Sequence, residues 1–247
     1  MWLYASEQSA INAFWHACGE TESFPRNLER YVALALPLTI IKLPRLRITD
    51  VRNWLAHRGA GIQLQCKDRE LRGCLVAHAG EGLIFADGTD CPQELRFTVA
   101  HELAHFLVDY LQPRAVALDT FGSSMREVID GIRVPTAPER LQALFAARAI
   151  HVHINLMERD TQGDTSSYVL ATENRADRVG LALLAPPEIV LSGLAPTARS
   201  FAERHEAVTS ELSHRYGLPV WLARTYGRVL LDELGRGPSW VEAIRKS

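Results

Sequence analysis

The sequence predicts an α+β fold: a small mixed sheet packed on one long apolar helix, followed by a C-terminal helical segment. Three observations carry this expectation. Short strand-like runs at 61–66, 71–78 and 82–86 are separated by turn residues. A helix from about Pro92 carries Leu95, Phe97, Ala100, Leu103, Ala104, Phe106, Leu107 and Leu111, so apolar side chains cover much of its circumference, as in a buried helix. From Ser200 onward two helices are broken at Gly217-Leu218-Pro219.

Taken in order, residues 6–18 read as a helix ended by Gly19, and a second helix starts at Pro25, a good first-turn residue. Residues 38–43 are β-branched and short, a strand closed by Pro44. Thr49-Asp50 caps a helix that ends near Arg58-Gly59. The connection through Ala79 and Gly80 suggests a tight hairpin, and Asp90 is a candidate cap for the long apolar helix. From Pro113 to Thr172 the chain reads as an insertion. It holds a short helix near 124–130, a capping box at Thr136–Glu139, and a strand over 150–157 whose hairpin partner is 166–170. A further helix covers 173–184 and ends at Ala185-Pro186-Pro187. The expected organisation is a domain over 1–195, with its insertion at about 113–172, and a helical segment over 196–247.

Composition excludes several classes. The chain has 247 residues, 47% hydrophobic and 23% charged, with a formal net charge of -2, so nothing points to a polyanionic partner or an anionic membrane. The longest apolar stretches, such as 31–41, are too short to span a bilayer, and the N-terminus lacks the pattern of a secretory signal. Cys18, Cys66, Cys74 and Cys91 occur singly, as scattered thiols of a reducing compartment, so a cytoplasmic location is expected.

The chemistry is concentrated in His101-Glu102-Leu103-Ala104-His105. Residues four apart on a helix share a face, so both imidazoles can reach one ion, and Glu102 projects beside it as a base for bound water. The motif lies within an apolar segment, where charged groups are costly unless paired or metal-bound. A catalytic zinc, one per chain, needs a third protein ligand, and Glu173 is the best candidate. Asp177 lies one turn further on the same face, placed to hold the far nitrogen of a ligating histidine. The same E-x-x-x-D arrangement occurs on the ligand helix of thermolysin-like enzymes, which this stretch resembles locally.

The run RFTVAHELAHF (96–106), followed by ENRADRVGLALLAP (173–186), resembles the ImmA/IrrE family of metallo-endopeptidases. In that family an R-F-T-x-A-H-E-x-x-H helix precedes E-x-x-A-N/D-x-x-A-x-x-L-L-x-P. Glu173 matches the metal-ligand glutamate, Ala176 the small packing residue, and Leu183 to Pro186 the closing signature. Gly180 stands where the family carries alanine, and the connection from 106 to 172 is longer than the family's. The likeness covers roughly 70–112 and 172–187, and 200–234 loosely. It implies a zincin-like metallopeptidase domain in which an extended substrate pairs with an edge strand above the H-E-x-x-H helix. By position, 82–86 is that strand. The resemblance further implies site-specific cleavage of a cytoplasmic regulator, commonly a helix-turn-helix repressor, in stress or mobile-element responses. An insert at 113–172 is expected to roof the cleft.

Other features carry less. His151 and His153 alternate with Ile150, Val152, Ile154 and Leu156, which reads as the solvated face of a strand; contact with substrate or extra metal ligation are the alternatives. Tyr168 and Arg175 are conceivable oxyanion stabilisers that nothing in the sequence singles out. The helices around Gly217 have the length of a helix-turn-helix but no basic stripe, so direct nucleic-acid contact is not expected. The alternative function is a non-catalytic, DNA-associated or protein-binding regulator using the same ligands for a structural metal.

Overall fold

The computed structural model describes residues 3–19, 24–62, 64–137, 139, 153–158, 167–193, 200–235 and 237. It is mixed α+β, built on a four-stranded mixed sheet. The strands are β1 (Leu38–Leu43), β2 (Leu71–His78), β3 (Glu81–Asp87) and β4 (His153–Glu158), in the spatial order β1-β3-β2-β4. β1 runs parallel to β3, and β2 is antiparallel to both β3 and β4. The β2–β3 hairpin turns on Ala79 and Gly80, with φ of 53° and 88°, the double left-handed backbone of a tight hairpin. Period-two alternation then separates the two faces. Leu38, Leu75, Ala77 and Ile84 enter one core, while Leu71, Cys74, Val76 and Phe85 enter a smaller one.

The N-terminal helices are α1 (Ala5–Cys18), α2 (Leu28–Ala35) and α3 (Ile48–His57). α2 starts three residues after Pro25, because the Asn27 side chain accepts the backbone N–H of Arg30 and sets the first turn there. α3 starts at Ile48 rather than at a Thr49-Asp50 cap; Asp50 lies inside the first turn and accepts the Arg47 N–H at 2.9 Å. Its Ile48, Val51 and Leu55 cover the smaller core. The expected strand at 61–66 is not one in its described residues. The Arg52 guanidinium binds the carbonyls of Leu64 and Cys66, satisfying with a side chain what a neighbouring strand would have taken.

α4 (Pro92–His105) begins after Cys91, with Pro92 in its first turn, so Asp90 is not its cap. The helix does not end at Leu111. A π-helical stretch, Phe106–Leu111, leads directly into α5 (Gln112–Phe121), which stops at Gly122 with φ 83°. Pro113 falls in the first turn after the register change, where its missing N–H costs little. Ser123–Met125 and α6 (Arg126–Ile129) follow, close to the expected helix at 124–130. Arg114 holds Asp130 through two hydrogen bonds of 2.8 and 2.7 Å, and the Tyr110 hydroxyl accepts the Gly80 N–H.

The segment 113–172 is therefore no simple appendage, since it supplies β4, an outer strand of the sheet. β4 pairs with β2, and residues 167–170 of its expected partner belong to α7 (Ser167–Leu184), which runs on to the proline pair; residue 166 lies outside the described residues. β3, expected at the edge, lies between β1 and β2. The Thr136–Glu139 capping bonds are present, with Glu139 accepting from the Thr136 N–H and hydroxyl. α8 (Pro187–Ser192), α9 (Phe201–His214) and α10 (Val220–Glu233) complete the chain. Val208, Leu212, Leu222, Tyr226 and Leu230 share the larger core with α4 and α7. The four cysteines are free thiols. Among the described residues no helix is long and apolar enough to cross a membrane.

Candidate metal centre

Every residue of α4 from Phe97 to His105 is buried, His105 and Glu102 completely. Three ionisable side chains in that setting need compensation, and α7 provides it. The two helices pack so closely at Gly180 that a Cβ there would lie 3.2 Å from backbone atoms of Ala100 and His101. A methyl group at this position would require the α4 backbone to give by a few tenths of an ångström. One face of α7 then brings Glu173 and Asp177 to the histidines.

The ligand atoms converge. His101 Nε2 and His105 Nε2 are 3.1 Å apart, and the Glu173 carboxylate lies 3.2 Å from the first and 3.7 Å from the second. The far ring nitrogens are both held by carboxylates: His101 Nδ1 by Asp177 at 2.9 Å and His105 Nδ1 by Asp109 at 2.7 Å. Arg175, two residues beyond Glu173 on α7, pairs with Asp109. With each Nδ1 donating its proton backwards, each Nε2 presents a lone pair. Two lone pairs and a carboxylate facing one point can hold a cation between them.

Electrostatics agree with that capacity. Burial by itself would lower the pKa of His101, but hydrogen bonds to Asp177 and Glu173 outweigh it and raise the value to about 10. Without metal, then, the cluster recruits a proton. Burial raises the Glu102 pKa above its usual range, against the pull of both histidines. One oxygen of Glu102 receives the Asn155 amide at a long 3.5 Å, and the other, Oε1, has no hydrogen-bond partner. Room for this carboxylate comes from Gly73 on β2, where a Cβ would approach Glu102 Oε1 to 2.8 Å.

The donor set of two imidazoles and one carboxylate, at these separations, can hold a metal ion. No family model matches the chain, and no curated protein matches it either. The site therefore rests on its own geometry.

All five expected site residues, His101, Glu102, His105, Glu173 and Asp177, are brought together. Two participants, Asp109 and Asn155, were not anticipated, and the sequence alone reads His153 first as a solvated face residue. Asp109 stands four residues beyond His105, the same spacing that pairs His101 with His105, and that signal was available. Asn155 and His153 project from the inner face of β4, so His153 is not on a solvated face. Its ring centroid is 6.4 Å from that of His105, and burial lowers its pKa. His105, Asp109 and His153 form a second group of possible ligands, but the Arg175 guanidinium already supplies the cation at Asp109. Arg175, a conceivable oxyanion stabiliser from the sequence, is thus engaged by Asp109 through one guanidinium nitrogen. His151 and the Tyr168 side chain lie outside the described residues.

Proposed function

We propose that this protein is a zinc-dependent endopeptidase with a zincin-like fold, similar to the ImmA/IrrE enzymes, that cleaves a cytoplasmic regulator such as a helix-turn-helix repressor. The observation that carries the reading is Glu102: a carboxylate fully buried beside the ligand cluster with one oxygen unpartnered. A structural metal site has no use for such a group, whose burial is costly. A hydrolase does, because a proton must leave the attacking water and reach the departing amine.

His101, His105 and Glu173 would hold the zinc, which would supply a Lewis acid and lower the pKa of a bound water. Glu102 accepts the water's proton and returns it to the leaving nitrogen. Asp177 and Asp109 keep the two histidines in the tautomer that ligates. β4 replaces β3 as the strand against which an extended substrate would be laid: among the described residues its one sheet neighbour is β2.

The test is metal content on protein purified without added metal, for the wild type and Glu173→Ala. About one zinc per chain, greatly weakened in the variant, is expected for a three-ligand site. Glu102→Gln should keep the metal and abolish cleavage of co-expressed repressors. A wild type that neither contains metal nor takes it up on titration refutes the reading.

A further inference from the structure

Hydrolysis of a peptide bond develops negative charge on the carbonyl oxygen, and a positioned donor stabilises it. Among the described residues, three side chains able to donate stand round the ligand cluster, and their partners separate them. The Arg175 guanidinium is engaged by Asp109. The Asn155 amide is turned to Glu102. His153 is different: Arg175 also has an unpartnered nitrogen, Nε, but its guanidinium is held by Asp109, whereas the buried Nε2 of His153 has no hydrogen-bond partner, and one of the His153 ring nitrogens lies within 4.8 Å of both a His105 nitrogen and an Asp109 oxygen.

Buried polar atoms are almost always paired, so an orphan asks for an absent partner. Here three orphans come from the three elements that line one cluster: Glu102 Oε1 on α4, His153 Nε2 on β4 and Arg175 Nε on α7. The Arg175 nitrogen is a donor, the Glu102 carboxylate oxygen an acceptor, and the His153 nitrogen donates in the tautomer that protonates Nε2. β4 also fixes the order along the wall, since His153 and Asn155 alternate on its inner face and Asn155 already marks where Glu102 lies.

We propose that His153 is a catalytic residue that donates a hydrogen bond from Nε2 to the substrate carbonyl oxygen, strengthening as that oxygen becomes anionic. This rests on the peptidase reading and adds the group that the metal ligands and Glu102 leave unassigned. A bare carboxylate or metal chelator gains little from it. A peptide with a tetrahedral oxyanion at the scissile position gains most.

The experiment compares two peptides of one sequence on metal-loaded protein by calorimetry: a phosphinic peptide, which carries tetrahedral oxygens, and a thiol peptide, which binds metal through sulfur alone. His153→Ala is expected to weaken the phosphinic peptide roughly 100-fold, the scale of a lost oxyanion donor, while thiol-peptide affinity and metal content stay as in the wild type. His153→Gln, which keeps a donor, should recover part of the loss. Equal losses for both peptides, or loss of metal, would make His153 a structural residue and overturn the inference. So would selective loss in Arg175→Gln with none in His153→Ala. A metal-loaded wild type that binds neither peptide removes the peptidase reading itself, and the role of His153 with it.

Discussion

Gly73→Ala is the sharpest perturbation the fold offers, because one added methyl group meets both the packing of α4 and its carboxylate. The new Cβ would lie 2.6 Å from Thr98 Cγ2, 2.8 Å from Glu102 Oε1 and 3.1 Å from Glu102 Cγ. Carbon atoms in contact prefer about 3.5–4.0 Å, so roughly 1 Å of movement is required. Both neighbours are buried, and β2 is held by strands on both sides, so the movement falls on α4 and on the Glu102 side chain. Overpacking of this kind costs about 1–3 kcal/mol. For a chain of this size each kcal/mol lowers Tm by about 2–4 °C, giving an expected drop of about 2–12 °C by calorimetry. Displacement of the base should lower turnover about 100-fold or more, with metal content intact. Adding Thr98→Ser removes Cγ2 and should restore much of the Tm while leaving turnover low, since the Glu102 contact persists. Unchanged Tm and unchanged turnover in Gly73→Ala would refute the claim that this glycine makes room for the base.

Three further outcomes are expected. Asp109→Asn should weaken metal binding about 10–100-fold in chelator competition, and more than Asp177→Asn, because the Asp109 side chain is 9% exposed and that of Asp177 46%. In metal-free protein His101 is raised from 6.5 to about 10, so its protonation stabilises the fold fully below pH 6.5, and that contribution is lost as pH rises through 10. Metal competes with that proton: affinity should rise roughly tenfold per pH unit across the window, and an indicator dye at pH 8 should register proton release on zinc addition. Asp130→Ala strands the Arg114 guanidinium, whose side chain is 12% exposed, and should cost about 3–5 kcal/mol in denaturant unfolding while leaving metal affinity unchanged.

The candidate metal ligands were legible because their chemistry is local. His101 and His105 are one helical turn apart, and Glu173 with Asp177 repeats that spacing, so each pair could be read without knowing how the helices meet. Strand order was not legible. The hairpin through Ala79-Gly80 announces itself by turn residues, but nothing within 82–86 says that β1 will close on one side and β2 on the other. The run at 166–170 shows the same limit from the other direction. Its β-branched and aromatic residues favour a strand in isolation, yet it is continuous with the helix that carries Glu173, and packing on α4 overrides a weak local preference.

That override has a consequence for the site. Each ligating histidine is backed by a carboxylate from a different element: Asp177 comes from α7, and Asp109 from the π-helical stretch that continues α4. Arg175 then ties the two elements together through Asp109. A ligand set built only on α4 would leave Glu173 free to swing with α7. Here the Arg175–Asp109 pair and the close approach at Gly180 hold α7 at two levels, one on each side of Asp177 along the sequence. The metal-binding geometry is therefore a property of the α4–α7 interface, and substitutions that loosen that interface should weaken metal binding even when all three ligands remain.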